Sequence, residues 1–177
     1  MTALPEPGGS SADDHAQTAH RFLEHARTEL QRGDSLQASE KVWGAAAHAL
    51  KSVAVQRGWR HRSHSTVFDV GEHLGREFSR QERFGVYLDR ADAMHSNFYH
   101  SNRNEGAIRL ALADVEQFVD ELDEIRASSP RSFTVRDNDD RVRLGHLLGL
   151  RGGDRPPIGS HSPVGFSQTH PEDTAGL

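Results

Sequence analysis

The sequence predicts an all-α fold, an up-and-down bundle of about five helices with disordered N-terminal and C-terminal tails. Three observations carry this expectation. Apolar residues recur at three- and four-residue spacing through most of residues 14–128. Residues able to cap helices separate these runs, and no alternating run is long enough to suggest a sheet. Both ends of the chain are rich in Pro, Gly and Ser and poor in large apolar residues.

Residues 1–13 contain no periodic apolar pattern and read as a disordered lead-in. The first helix starts near Asp14, carries Phe22, Leu23, Ala26 and Leu30, and stops at Gly33, where a left-handed C-terminal residue is cheap. Asp34, with Gln37 three residues on, has capping-box spacing and opens a second helix of about six turns that runs to Gly58. Leu36, Trp43, Ala47, Leu50 and Ala54 mark one of its faces, and Ala45, Ala46 and Ala49 let a neighbouring helix approach closely. The loop Trp59-Arg60-His61-Arg62-Ser63-His64 leads to a third helix, capped by Ser65 and bearing Val67, Val70, Leu74 and Phe78. Ser79 and Glu82 form another capping box, opening a fourth helix with Phe84, Leu88, Ala91 and His95 on one stripe. The polar Ser101–Asn104 cluster interrupts the pattern. In the fifth helix Ile108, Leu112, Val115, Phe118, Val119, Leu122 and Ile125 keep the helical period until Ser128-Ser129-Pro130. The folded domain is therefore placed at residues 14–128. Residues 129–177 are expected to be mostly disordered, with a short Leu-rich segment near 144–150.

Composition narrows the function. A hydrophobic fraction of 34% fits one modest core plus tails, and a net charge of −5 argues against a protein that coats nucleic acid through charge alone. Any nucleic-acid site must be local. The chain has no cysteine, which removes disulfides, thiolate nucleophiles and Cys-type zinc sites. No apolar run approaches the roughly 18 residues that span a bilayer, and Met1–Asp14 lacks the order of a signal peptide, so a cytoplasmic location without membrane contact is expected. No cofactor is implied. His61 and His64 are the nearest thing to a metal site, and with no carboxylate or cysteine placed to complete it, no metal is assigned.

The main chemical feature is Arg90-Ala-Asp-Ala-Met-His95. It pairs a permanently charged guanidinium with the side chain whose ordinary pKa lies near physiological pH. Such a pair suits cleavage of an RNA phosphodiester without metal: the histidine moves a proton at the 2′-hydroxyl or the leaving 5′-oxygen, and the arginine stabilises charge on the phosphorane. Spacing alone is weak, because Arg57/His64, Arg141/His146 and Arg155/His161 show similar intervals. Arg90/His95 is distinguished by its place on a predicted helix, followed by Phe98 and Tyr99 and then by the strongest amphipathic helix. Asp92, three residues before His95, can hold its imidazole, and Tyr99, four residues after it, can orient it or bind phosphate. Five residues of helix turn Arg90 about 140° from His95, so the two need not converge within one chain, and a two-fold dimer could bring both copies into one groove. A second feature, Arg57, Trp59, Arg60, His61, Arg62 and His64, is the only dense basic cluster in the predicted domain. It reads either as an RNA-binding loop that tracks phosphate with Trp59 stacking on a base, or as a solvated connector with Trp59 in the core.

The segment Gln37-Ala-Ser-Glu-Lys-Val-Trp-Gly-Ala-Ala-Ala-His-Ala-Leu-Lys51, followed by Gln56-Arg-Gly-Trp59, resembles the second-helix signature of HEPN domains, the higher-eukaryote and prokaryote nucleotide-binding family. The likeness is greatest to the archaeal PaREP-type branch, where Met94-His-Ser-Asn-Phe-Tyr99 also has counterparts. The resemblance covers residues 15–127 and sets Arg90 and His95 on the family's Arg-x4–6-His motif. It implies a helical bundle, a homodimer and, in active members, a metal-independent ribonuclease site shared across the dimer. It also implies the toxin-like half of a two-component system, with a cognate nucleotidyltransferase-like or antitoxin partner. Other members bind a nucleotide, RNA or protein without cleaving anything, and that reading stands beside the enzyme. One departure is Ala91, where active members commonly carry a polar residue, often Asn, after the arginine.

Overall fold

The computed structural model describes residues 10–162, and among them six α-helices form an all-α bundle. The helices are α1 (Ala12–Arg32), α2 (Ser35–Gln56), α3 (His64–Glu77), α4 (Gln81–His100), α5 (Glu105–Ala127) and α6 (Asn138–Leu148). Of the stretches expected to be disordered, 1–13 and most of 129–177, residues 1–9 and 163–177 lie outside the described residues, while Ala12 and Asp13 already belong to α1.

Helix boundaries follow side-chain chemistry. Ser11 and Asp14 form a reciprocal capping box on α1, and Gly33 ends that helix in the left-handed conformation at φ 80°. The Asp34 carboxylate accepts from Gln37 N at 3.0 Å, as the sequence spacing suggests. Helix α3 starts earlier than expected. Ser63 is its cap, because Thr66 completes a box with it that Ser65 does not make. His64 thereby becomes the first residue of a helix instead of the last residue of a loop. The Ser79/Glu82 box does not form either. The short turn from α3 into α4 places Ser79 at φ 57°, and Arg80 occupies the cap with no side-chain hydrogen bond.

Helix α2 is the central element, packing against α1, α4 and α5, and Ala45, Ala46 and Ala49 are buried along it. Gly44 permits the close α1–α2 contact, since a Cβ there would overlap the Phe22 ring. Leu50 is buried as the stripe predicts, whereas Trp43 is only partly buried and Leu36 is exposed. The helix is thus turned slightly from the expected face. On α5 the whole run from Ile108 to Ile125 named above is buried, and Phe118 meets Phe84 edge-on at 4.9 Å.

The structure departs most from expectation after residue 128. Instead of a disordered tail, Phe133–Thr134 (β1) pairs antiparallel with His161–Ser162 (β2), and α6 packs on α3. Leu147 joins the main core, while Phe133, Val135 and Leu144 make a small core of their own. Several charged groups of this segment pair with one another and with α3. The fully buried Asp140 carboxylate accepts from Arg76 at 2.8 Å, Arg143 at 3.1 Å and the Arg136 amide at 3.0 Å. Glu77 accepts from the Arg131 amide at 2.7 Å. The Leu-rich segment near 144–150 marks the position of α6, but its polar neighbours are internal partners and not solvated coil.

Candidate functional site

Helix α4 buries Leu88, Ala91 and Met94 and presents Arg90 and His95 on different flanks. On the α5 flank, Arg90 Nε lies 3.2 Å from Asp114 Oδ2, in an open groove that Val86, Ala93, Arg103 and Ala107 also line. On the other flank His95 packs against Trp43 of α2, with ring centroids 5.0 Å apart. The two residues do not converge in one chain. This is the separation that five residues of helix impose.

His95 has a second neighbour that the sequence did not reveal. The His64 ring lies 5.1 Å from it at an interplanar angle of 31°. Trp43 touches both imidazoles, at 4.7 Å from His64 and 5.0 Å from His95, and Phe68 backs His64 at 4.9 Å. Tyr99 closes the cluster edge-on to His95 at 5.3 Å and is itself well exposed. Asp92, expected to hold His95, instead stands 3.6 Å from Nε2 of His64. Three helices therefore build one half-open box: Trp43 from α2, His64 and Phe68 from α3, and Asp92, His95 and Tyr99 from α4.

One buried side chain steadies this assembly. Asn97 donates from Nδ2 to Ser39 Oγ at 2.8 Å and accepts the Arg103 amide on Oδ1 at 2.7 Å. It ties α2, α4 and the α4–α5 connection together two residues beyond His95, with both ends of its amide engaged.

The basic cluster does not act as one surface. Arg57 points inward and forms an ion pair with Glu77 at 2.6 Å, its side chain only 9% exposed, so it is removed from the RNA-binding set. Desolvation raises the Glu77 pKa, but hydrogen bonds from His73, Arg57 and the Arg131 amide outweigh it and leave the net shift downward. Trp59 packs on the core, edge-on to His73 at 5.1 Å and 4.9 Å from the Arg57 guanidinium, as the connector reading expects. The Arg60 amide donates to Leu147 O at 2.9 Å, and its exposed side chain lies against Gly149. Arg62 is exposed beside an open cleft lined by Gly58, Trp59, Arg60, His61, Ser63 and Thr66. His61 turns toward His15, with ring centroids 6.0 Å apart, while His64 joins His95.

A separate histidine contact, assigned no role from sequence, joins α1 to α2. His15 Nδ1 and His48 Nδ1 are 2.9 Å apart. Burial, reinforced by Lys51, pushes His48 down to about 4 and lowers His15 too. Among the described residues no three His, Asp or Glu side chains form a group that could hold a metal ion, and no helix among them is long and apolar enough to cross a membrane.

Sequence reasoning singled out His95, Asp92 and Tyr99 and missed that Trp43, Phe68 and His64 gather around them, while Arg90 lies outside this cluster. No local signal could have supplied this, because the box is made by the crossing of three helices. No curated protein and no solved structure matches the chain. The sequence model of the Archaeal PaREP1/PaREP8 family matches residues 14–119, which span α1 to α4 and the larger part of α5. On that match, which takes in the whole histidine box, the chain belongs to the Archaeal PaREP1/PaREP8 family.

Proposed function

We propose that this protein is a metal-independent endoribonuclease of the HEPN type, working as a homodimer. The observation that carries the reading is the setting of His95: a partly open imidazole on the Trp43 ring, with the exposed Tyr99 at its edge. An imidazole so held can take the proton of a ribose 2′-hydroxyl as that oxygen attacks phosphorus. The products are a 2′,3′-cyclic phosphate and a free 5′-hydroxyl.

Arg90 enters through the dimer. Its guanidinium lies on the far flank of α4, so the partner subunit's Arg90 is the copy that would meet the phosphate over His95. Val86, which lines the groove with Arg90, is an exposed apolar residue available for a self-complementary contact. Tyr99 adds a hydroxyl and a ring face for the RNA.

A specific observation favours the second reading, a binding module that recognises RNA, a nucleotide or a protein without cleavage. Ala91 is fully buried in the core, so the position after the arginine offers the site no polar group. Incubation with generic RNA in EDTA, followed by end-group analysis, separates the two. Cyclic phosphate ends made by the wild type and absent with His95→Ala establish the enzyme. Intact RNA retained on the protein establishes the binding module.

A further inference from the structure

We infer that His64 is the second proton carrier of the site: His95 accepts the 2′-hydroxyl proton and His64 donates one to the departing 5′-oxygen. This assignment rests on the ribonuclease reading above and gives that site a complete acid–base pair within one subunit. Cleavage by transesterification has two proton transfers at opposite ends of the trigonal-bipyramidal phosphorus, one from the attacking oxygen and one to the leaving oxygen. One imidazole can serve one end. The His64 and His95 rings, 5.1 Å apart, bring two imidazoles to a single phosphodiester.

The division of labour follows from the surroundings. Asp92 lies 3.6 Å from Nε2 of His64, giving an imidazolium there a counter-charge. His95 shares the Trp43 ring with His64, at 5.0 Å, and has Tyr99 at 5.3 Å on its other side. The carboxylate beside His64 assigns that imidazole the acid's part and leaves His95 the base's. His64 is also positioned by its neighbours. It is the first residue of α3, fixed by the Ser63–Thr66 capping box behind it and by contacts to Trp43 at 4.7 Å and Phe68 at 4.9 Å. A stacking role alone would need none of the Asp92 contact, and both His64 and Asp92 remain about half exposed, at 46% and 54%, on the open side of the box.

The step balances. The 2′-oxygen forms its bond to phosphorus and its proton passes to His95, while the phosphorus–5′-oxygen bond breaks and that oxygen takes the proton of His64. The pair ends with His95 charged and His64 neutral, and exchange with water restores both.

A bridging 5′-phosphorothiolate dinucleotide tests this, because its thiolate leaves without a proton. His64→Gln is expected to slow cleavage of the ordinary oxygen dinucleotide by about 10²–10⁴-fold, the usual range for a lost general acid, and to cleave the phosphorothiolate within about threefold of wild type. His95→Gln should lose both. Asp92→Asn, on an exposed position, should slow only the oxygen substrate, and it carries the test if His64→Gln does not fold. Equal losses on both substrates for His64→Gln, or no loss on either, would overturn the assignment while leaving the ribonuclease reading in place. A wild-type protein that cuts neither dinucleotide nor longer RNA overturns the ribonuclease reading itself, and His64 with it.

Discussion

Arg90 and Asp114 face each other across the α4–α5 groove, Nε to Oδ2 at 3.2 Å, with the arginine side chain still 43% exposed. The pair holds the guanidinium on the flank of α4 opposite the histidine box. An exposed ion pair of this kind contributes on the order of 0.2–1 kcal/mol.

Shared sites across a dimer make a specific prediction about mixtures. Arg90→Ala and His95→Ala homodimers should each be inactive. Co-expressed, they should form heterodimers in which one of two sites contains an intact Arg90 and an intact His95. Partial recovery of RNA cleavage in the mixture is the expected result. No recovery, with heterodimers confirmed by native mass spectrometry, would refute the shared site.

Restoring an asparagine after Arg90 should harm the protein. Ala91 is wholly buried, so Ala91→Asn forces a larger polar side chain into the core at a cost of about 1–3 kcal/mol. Thermal melting should show the loss, and a melting temperature equal to wild type would mean that the amide reaches solvent or a partner.

The segment after residue 128 should matter to stability. Leu147→Ala is expected to cost about 2–5 kcal/mol through lost burial and a residual cavity. Asp140→Ala leaves the Arg76 and Arg143 guanidinium groups without their shared buried carboxylate and should cost about 3–5 kcal/mol. Truncation after Ser129 removes both contributions. Urea denaturation of the three variants measures the effect, and wild-type midpoints throughout would show that the segment merely rests on the bundle.

Acid should loosen the α1–α2 contact. His48 has a folded pKa of about 4, below its ordinary 6.5, because burial, Lys51, His15 and Arg21 all oppose its charge. The unfolded chain therefore binds more protons between those values, and stability falls as pH drops from about 6.5 toward about 4. With allowance for partial solvent screening, the loss attributable to His48 is roughly 1–2 kcal/mol. His15 and the buried His73, both lowered chiefly by burial, add in the same direction. His48→Gln should flatten part of the stability–pH slope in this window, as followed by chemical denaturation. An unchanged slope would place the acid sensitivity elsewhere.

Periodicity made the bundle legible because burial of whole helix faces dominates α1 to α5, and on α5 the apolar residues named from sequence are buried one for one. The start of α3 was harder to read, since Ser63 and Ser65 are both able to cap and only the Thr66 side chain decides between them. That shift of two residues changes the meaning of His64. Arg57 was misread because charge suggests exposure, and the carboxylate that buries it lies twenty residues away at Glu77. The segment after Pro130 failed for the same reason on a larger scale: Asp140 and Arg143 look like solvated coil until Arg76 and Glu72 of α3 are placed beside them.

The hydrogen bond from the Arg60 amide to Leu147 O has a bearing on synthesis. The connection that delivers His64 to Trp43 finds its own support on α6, made after the other five helices. A nascent chain carrying α1 to α5 has every residue of the histidine box but not the prop beneath the loop that leads into it. The Arg60 amide gains this partner only once α6 has been made, so the loop before His64 is completed later in synthesis than the helices it joins.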